Sequence, residues 1–202
     1  MKLYYLQGAC SLASLISLIE AGASFEPVAV DRKTKQLPDG RSYIDVNPKG
    51  YVPALELDDG EVLTENTAVL PYIADLNPGA NLAPPVGTRA RFRLQEWLGY
   101  LNGELHKNFS TLFNPSAPEA MKQIAKDNIV RRTAFIEDRL GDEPFLLGET
   151  FSVADAYLYV ILSWREKLGV DLSGFPKVTA LYERVRSRPS VQAARKAEGL
   201  KD

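Results

Sequence analysis

Cys10 and His106 are the only cysteine and the only histidine in the chain of 202 residues. Each stands where its side chain could do chemistry. Cys10 lies in Gly8-Ala9-Cys10-Ser11, between a predicted strand and a predicted helix. A thiol at that position meets the unpaired N–H groups and the positive end of a helix, which favour a thiolate. Free cysteine titrates near about 8.5, so a modest stabilisation greatly enlarges the anion fraction at neutral pH, and the expectation is a thiol pKa below the reference. A small buried residue is the alternative reading of the same position. Ser11 beside it reads as a helix cap. One cysteine excludes an intramolecular disulfide framework and a cysteine-based zinc site, and it suits a reducing compartment.

His106 falls on a long helical period over residues 88–112. Leu94, Leu98, Leu101, Leu105 and Leu112 mark the apolar stripe of that helix. About 100° away, Gly99, Asn102, Gly103, His106 and Ser110 mark a second stripe of small and polar residues. Each glycine inside a helix costs about 1 kcal/mol relative to alanine, so the pair implies a close approach to the backbone, by a neighbouring helix or by a ligand. His106 then lines that approach or simply faces solvent.

Two kinds of chain surround these residues. Over 1–76 the pattern is a strand at 2–6, a helix at 11–22, a strand at 26–31, a hairpin of 52–57 with 61–63, and a helix at 65–76, which makes a small α/β unit. Residues 77–87 carry Pro78, Gly79, Pro84, Pro85 and Gly87 and read as a linker. From 88 to 202 only helical periods occur, at 88–112, 118–140, 153–168, 175–187 and 190–197. Ser152 and Asp155 form a capping-box variant that starts the third of these.

Composition narrows the partners. Lys and Arg number 24 against 26 Asp and Glu, and the net charge of −2 supplies no basic field for nucleic acid or an anionic membrane. No run of about 18 apolar residues suggests a transmembrane span. The stretch Leu12 to Ile19, followed by Ala21-Gly22-Ala23, has some features of a secretory signal, but serines interrupt it and Leu12, Leu15, Ile16 and Ile19 recur at helical spacing. It therefore reads as a core helix. The partner expected is small.

Five segments in order carry a resemblance. They are Gly8-Ala9-Cys10-Ser11-Leu12-Ala13-Ser14, Val46-Asn47-Pro48-Lys49-Gly50-Tyr51-Val52-Pro53-Ala54-Leu55, Leu63-Thr64-Glu65-Asn66, Glu104-Leu105-His106-Lys107 and Phe151-Ser152-Val153-Ala154-Asp155-Ala156-Tyr157. Together, and over essentially the whole chain, the sequence resembles the bacterial beta-class glutathione S-transferases. The resemblance implies a thioredoxin-like α/β domain at 1–76, an all-helical domain at 88–202, a homodimer, and glutathione held mainly by the first domain.

It also implies roles. A cis Val52-Pro53 bond turns the Val52 backbone to the cysteinyl unit of glutathione as a short β-augmentation. Glu65 and Asn66 open a helix whose side chains and free N–H groups take the γ-glutamyl end, with Asn66 acting through its backbone because relatives often have a small residue there. Lys35 is the cation for the glycyl carboxylate. Lys107 assists near the thiol or serves as a C-terminal helix cation. Glu104 reaches the ligand amino group across the dimer. Relatives commonly have asparagine where this chain has Gly99, so that contact is missing unless Asn102 supplies it.

The function implied is that of a cytoplasmic transferase that places the thiolate of glutathione against a small hydrophobic electrophile. Ser11, His106 and Tyr5 are the hydrogen-bond donors available to that sulfur, glutathione is the co-substrate, and neither a metal nor another cofactor is called for. Phe109, Leu112, Phe113 and Trp164 are the candidate electrophile contacts. Two alternatives share the fold. A thiol-disulfide oxidoreductase or peroxidase would use Cys10 itself with glutathione as the resolving thiol, and a carrier of glutathione or hydrophobic ligands would bind without turnover.

Overall fold

The computed structural model describes residues 1–200; the last two residues of the 88–202 segment lie outside the described residues. The contacts divide the chain into two units, one comprising Met1–Ala83 with the chain from Arg188 onward, the other Pro84–Ser187.

The first unit contains β1 (Lys2–Tyr5), α1 (Ser11–Glu20), β2 (Glu26–Ala29), a 3-10 turn at Tyr43–Asp45, β3 (Ala54–Glu56), β4 (Val62–Thr64) and α2 (Asn66–Leu76). Its sheet has the order β2-β1-β3-β4, with β2 parallel to β1, β3 antiparallel to β1, and β4 antiparallel to β3. Leu3 at the centre pairs with Pro27 on one side and Leu55 on the other. Leu3 and Tyr4 point to opposite faces and both are fully buried, so the sheet is covered on both sides at β1. Tyr4 packs with Leu6, Val30, Leu37, Tyr43, Val52 and Ala54 in one cluster.

The serines that interrupt the apolar stretch of α1 are buried with it. Ser17 Oγ donates to the Ala13 carbonyl at 2.8 Å and Ser14 Oγ donates to Asn66 Oδ1 at 2.9 Å. Their polar atoms are thus satisfied locally, which lets a serine-rich helix sit inside a core.

The second unit holds α3 (Arg89–Tyr100), a π-helical segment at Leu101–His106, α4 (Lys107–Phe113), α5 (Glu119–Leu140), α6 (Val153–Ser163) and α7 (Pro176–Arg186). The single predicted helix over 88–112 is therefore continuous but carries a wider π turn, which advances the buried face. Leu94, Leu98, Leu101 and Leu105 are buried as expected, after which Phe109 takes the next buried place and Leu112 is only half-buried. α6 is buried along its length. The expected capping box is present: Asp155 accepts hydrogen bonds from the Ser152 amide and hydroxyl at 2.8 and 2.7 Å, and from the Leu146 amide at 2.8 Å. Burial nevertheless pushes this carboxyl up to about 6, against the downward pull of those donors. α6 ends at Ser163, and the predicted extension to 168 is a series of turns from Trp164 to Gly169, which has a left-handed φ of 62°.

The last helix, α8 (Pro189–Ala197), groups with the first unit, whereas the sequence assigns it to the helical domain. The reason is a polar anchor as much as apolar packing. Arg188 donates to both oxygens of Glu20 at 2.7 and 3.1 Å, and Ser190 adds a third hydrogen bond to the same carboxylate. Among the described residues no helix is long and apolar enough to cross a membrane.

Candidate active site

The thiol of Cys10 sits at the start of α1, as expected, but burial turns its pKa in the direction opposite to the expectation. Sγ donates to the Val52 carbonyl at 3.1 Å. Burial pushes the thiol up to about 12, and the charges of Glu65 and Glu198 push the same way. The amides of Cys10 and Ser11 at the helix start do favour the thiolate, and desolvation outweighs them. Part of the residue's surface remains accessible, although the sulfur's surroundings are dense. The Cys10 thiol donates a hydrogen bond, and burial disfavours its thiolate.

Ser11 does not cap α1. It is the first residue of the helix, fully buried, and its hydroxyl accepts from the Leu6 amide at 3.2 Å and lies 3.4 Å from the Leu6 carbonyl. These contacts hold the turn between β1 and α1. Tyr5 ends β1 half-buried, and burial together with the charge of Glu198 raises its pKa. That favours the phenol over the phenolate.

Val52 joins the thiol to the strand edge. The Val52-Pro53 bond is cis, and Val52 is buried. Asn66 joins the thiol to α2: its Nδ2 donates to the Cys10 carbonyl at 3.1 Å while its Oδ1 takes the Ser14 proton. The Asn66 side chain is thus committed within the protein. The N–H groups of Asn66 and Thr67 open the helix and have no intrahelical partner.

Glu65 immediately precedes them with φ 71°, a conformation that residues with a side chain seldom adopt and that costs on the order of 1–3 kcal/mol when imposed. Its exposed carboxylate binds Lys49 Nζ at 2.5 Å, and the same ammonium donates to Thr64 Oγ1 at 2.7 Å. Lys35, also at positive φ, donates from Nζ to the Gly50 carbonyl at 3.1 Å. Cys10, Val52, Asn66, Glu65 and Lys35 are thereby tied into one linked set, with the carbonyls of residues 50–52 as its spine.

In the helical unit His106 Nδ1 lies 2.7 Å from Tyr157 Oη, and Tyr157 donates to Asn102 Oδ1 at 3.0 Å. An amide oxygen only accepts, so the tyrosine proton points to Asn102 and the tyrosine oxygen accepts from Nδ1–H. Neutral His106 then carries no proton on Nε2. Trp164 lies against the ring at 5.0 Å and gathers Phe109 and Phe113 at 5.7 and 5.4 Å. Phe109 is wholly buried and is core, whereas Phe113 is exposed at the edge of the cluster.

The small and polar stripe divides accordingly. Asn102 and His106 turn to Tyr157, while a side chain added at Gly99 or Gly103 would meet nothing within 4 Å. Among the described residues no helix accounts for the two glycines. Glu104 is engaged by Arg132, at 2.7 Å from Nε and 2.6 Å from Nη2. Lys107 is exposed and follows the π segment well before the end of α4 at Phe113, so it is not a C-terminal helix cation.

Two residues of the first unit escaped the sequence reading. Lys49 stood inside a quoted motif as a turn residue, and only its Glu65 partner marks it. Glu198 carried no signal at all, since a glutamate closing a polar helix reads as solvated. It is in fact buried, and its Oε2 accepts from the Gly8 amide at 2.7 Å.

Comparison with known proteins gives one answer across the chain. The glutathione S-transferase N-terminal domain family matches residues 1–75 and the C-terminal domain family residues 100–189. Glutathione S-transferase GstA of Escherichia coli O157:H7 is 44% identical over 201 residues, all of both chains. A sphingomonad glutathione S-transferase solved in complex with glutathione is 45% identical and superimposes with a TM-score of 0.96 over the whole of both chains. A bacterial beta-class glutathione S-transferase from Sphingomonas chungbukensis is 46% identical, with the same coverage and a TM-score of 0.96. The resemblance first carried by five short motifs thus extends over the full length in sequence and in fold, and the chain belongs to the glutathione S-transferase family.

Proposed function

We propose that this transferase binds glutathione on its first unit and transfers it to a small hydrophobic electrophile. The observation that carries this reading is the linked set around Cys10. A buried thiol, the backbone beside a cis proline and the opening of α2 are tied together by two hydrogen bonds, Cys10 to Val52 and Asn66 to Cys10. A tripeptide with two carboxylates, an ammonium and a thiol needs such an edge, with amides and cations beside it. Lys35 is assigned to the glycyl carboxylate, Glu65 to the ammonium, the amides at Asn66 and Thr67 to the γ-glutamyl carboxylate, and Val52 to the cysteinyl backbone.

Conjugation is favoured over disulfide exchange at Cys10, because burial disfavours the protein thiolate that exchange requires. In this reading the glutathione thiol gives its proton to solvent. His106, whose Nδ1 lies 2.7 Å from Tyr157 Oη, is assigned as a catalytic residue of the helical unit. The glutathione sulfur then forms a bond to the electrophilic carbon, and the leaving group departs with its electron pair. Tyr5 acts as a neutral donor to the sulfur. Glutathione is the co-substrate and no other cofactor is assigned. Trp164 and Phe113 are assigned to the electrophile.

A homodimer is part of the proposal. The helical unit exposes Phe92 and Phe135, and a groove of about 430 Å³ runs past Trp97, Tyr100 and Phe135. Gly99 and Gly103 also face open space. Exposed apolar surface of this kind marks an interface, and a second copy of the chain meets the requirement. Glu104 then stands close to that surface, although its Arg132 partner competes for any ligand across the two-fold. Neutralising chemistry on foreign electrophiles in a reducing cytoplasm is the corresponding cellular role.

One preparation tests the whole reading, assayed with glutathione and a chlorodinitrobenzene-type electrophile, a hydroperoxide and a glutathione mixed disulfide. Turnover with the first and a particle near 45 kDa by light scattering are expected. No saturable glutathione binding up to millimolar ligand would reject the enzyme, and a particle of 22.4 kDa would reject the dimer.

A further inference from the structure

The loop that carries the thiol, Gln7 to Cys10, is held from outside. Gly8 donates its amide to Glu198 Oε2 at 2.7 Å. Gln7 Nε2 donates to the Glu198 carbonyl at 2.7 Å and reaches the Gly199 carbonyl at 3.4 Å, and Arg32 donates to the Gln7 carbonyl at 3.0 Å. Gly8 has φ 67°, so the turn depends on glycine and on what fastens it. Glu198 is only 5% exposed, and its second oxygen, Oε1, is buried with no hydrogen-bond partner. A half-satisfied buried carboxyl is costly, and nothing in the proposed conjugation uses it.

We propose that Glu198 is a positioning residue of the thiol site, fastening the Gly8 turn so that Cys10 Sγ stays on the Val52 carbonyl, and tuning the reactivity of that thiol through its own charge. The inference rests on Cys10 marking the glutathione site. Burial pushes the Glu198 carboxyl up to about 7, against the pull of the Gly8 amide, so its charge changes in the neutral range. The groups that feel it are Tyr5 from β1 and Cys10 from the head of α1, both of which its charge makes harder to ionise. Arg195 lies one turn earlier on α8 with its Nε buried, and Arg32 bonds the Gln7 carbonyl from the segment after β2. α1, packed along α8, brings only Glu20, which is occupied by Arg188 at the opposite end of that helix. As pH rises through 7, the new negative charge opposes thiolate formation at Cys10 and strengthens the bond to Gly8.

The test follows the reaction of Cys10, the only cysteine, with a pyridyl disulfide between pH 6 and 9, in the wild type, E198Q and E198A, with thermal melts alongside. Glutamine keeps an acceptor for Gly8 and removes the charge. E198Q is expected to melt near the wild type and to react equally at pH 6, but about threefold faster at pH 8.5, half a pKa unit being worth that factor. The ratio of the two rates turns over near pH 7. E198A, which frees the turn, is expected to react about tenfold faster throughout. A ratio of E198Q to wild type that stays flat across the range overturns the charge coupling, and it decides the matter if E198A does not fold. A folded E198A with the wild-type rate overturns the positioning role. The readout needs no glutathione turnover, so an inactive protein with the expected ratios would refute the transferase reading and leave this inference standing.

Discussion

A Cys10 thiol at about 12 has a reactivity that can be calculated. At pH 8 it is ionised to about one part in 10⁴, whereas a free cysteine near 8.5 is about one quarter ionised. Since only the thiolate is alkylated, the folded protein is expected to react with iodoacetamide more than about a thousandfold more slowly than the same chain unfolded in urea. Half of that rise would still slow the reaction by about fiftyfold. The assay is the pseudo-first-order rate of carboxamidomethylation, followed by mass from pH 7 to 10 and compared with the unfolded protein. Above pH 8, once Glu198 is charged, the folded protein's rate is expected to climb about tenfold per pH unit with no plateau. A plateau with its midpoint at or below about 8.5, the free-cysteine value, would refute the reasoning. It would mean that the amides of the helix start prevail over burial and the two acidic neighbours, and that disulfide exchange at Cys10 is open to the enzyme after all.

Two other outcomes follow from charges already described. Glu65→Ala removes the acid beside the opening of α2 and is expected to weaken glutathione binding roughly tenfold, the cost of one charged hydrogen bond; an unchanged Kd by calorimetry would confine Glu65 to its contact with Lys49. Burial raises the Glu20 carboxyl, but the bonds from Arg188 and Ser190 and the charge of Arg188 outweigh it and hold the group below the usual carboxylate range. A depressed folded pKa means stability that is present above the unfolded value of about 4.3 and lost as pH falls. Glu20→Gln should therefore cost about 1–2 kcal/mol in urea unfolding at pH 7 and much less at pH 3.5; an equal cost at both would show that packing, and not the ion pair, fastens α8.

Most of the architecture was legible because it is written in periods and punctuation. The β-rich run over 2–6, helical spacing over 11–22 and 118–140, and the prolines after Leu76 each have a local physical cause. What escaped depended on partners distant in sequence. The thiol's surroundings are set by Val52, Glu65 and Glu198, and no property of the segment Gly8 to Ser11 encodes how dry the sulfur is. The helix-start argument for Cys10 was correct in sign and lost in magnitude. Ser11 was read as a cap because serines so often are, yet a buried Leu6 amide claimed its oxygen. The π turn at Leu101–His106 was also illegible, since one register advance within a helix leaves the apolar period nearly intact until Phe109 replaces the expected next position. His106 could be singled out by its rarity, but its tautomer follows from Tyr157 and Asn102 alone.

The chain leaves the first unit after Ala83 and re-enters it at Arg188, so the turn at Gly8 is completed by a carboxyl 190 residues downstream. A contact of such sequence separation is late by construction, because closing so long a loop is entropically costly until the intervening segment has condensed. During synthesis the strand, the thiol and the first two helices emerge early and wait with one hydrogen-bond donor of the turn unmet. The thiol therefore acquires its final environment only when nearly all of the protein has been made. Order of assembly thus keeps the enclosure of the only thiol until last, and a truncated or stalled product would present the sequence of the site without its final environment.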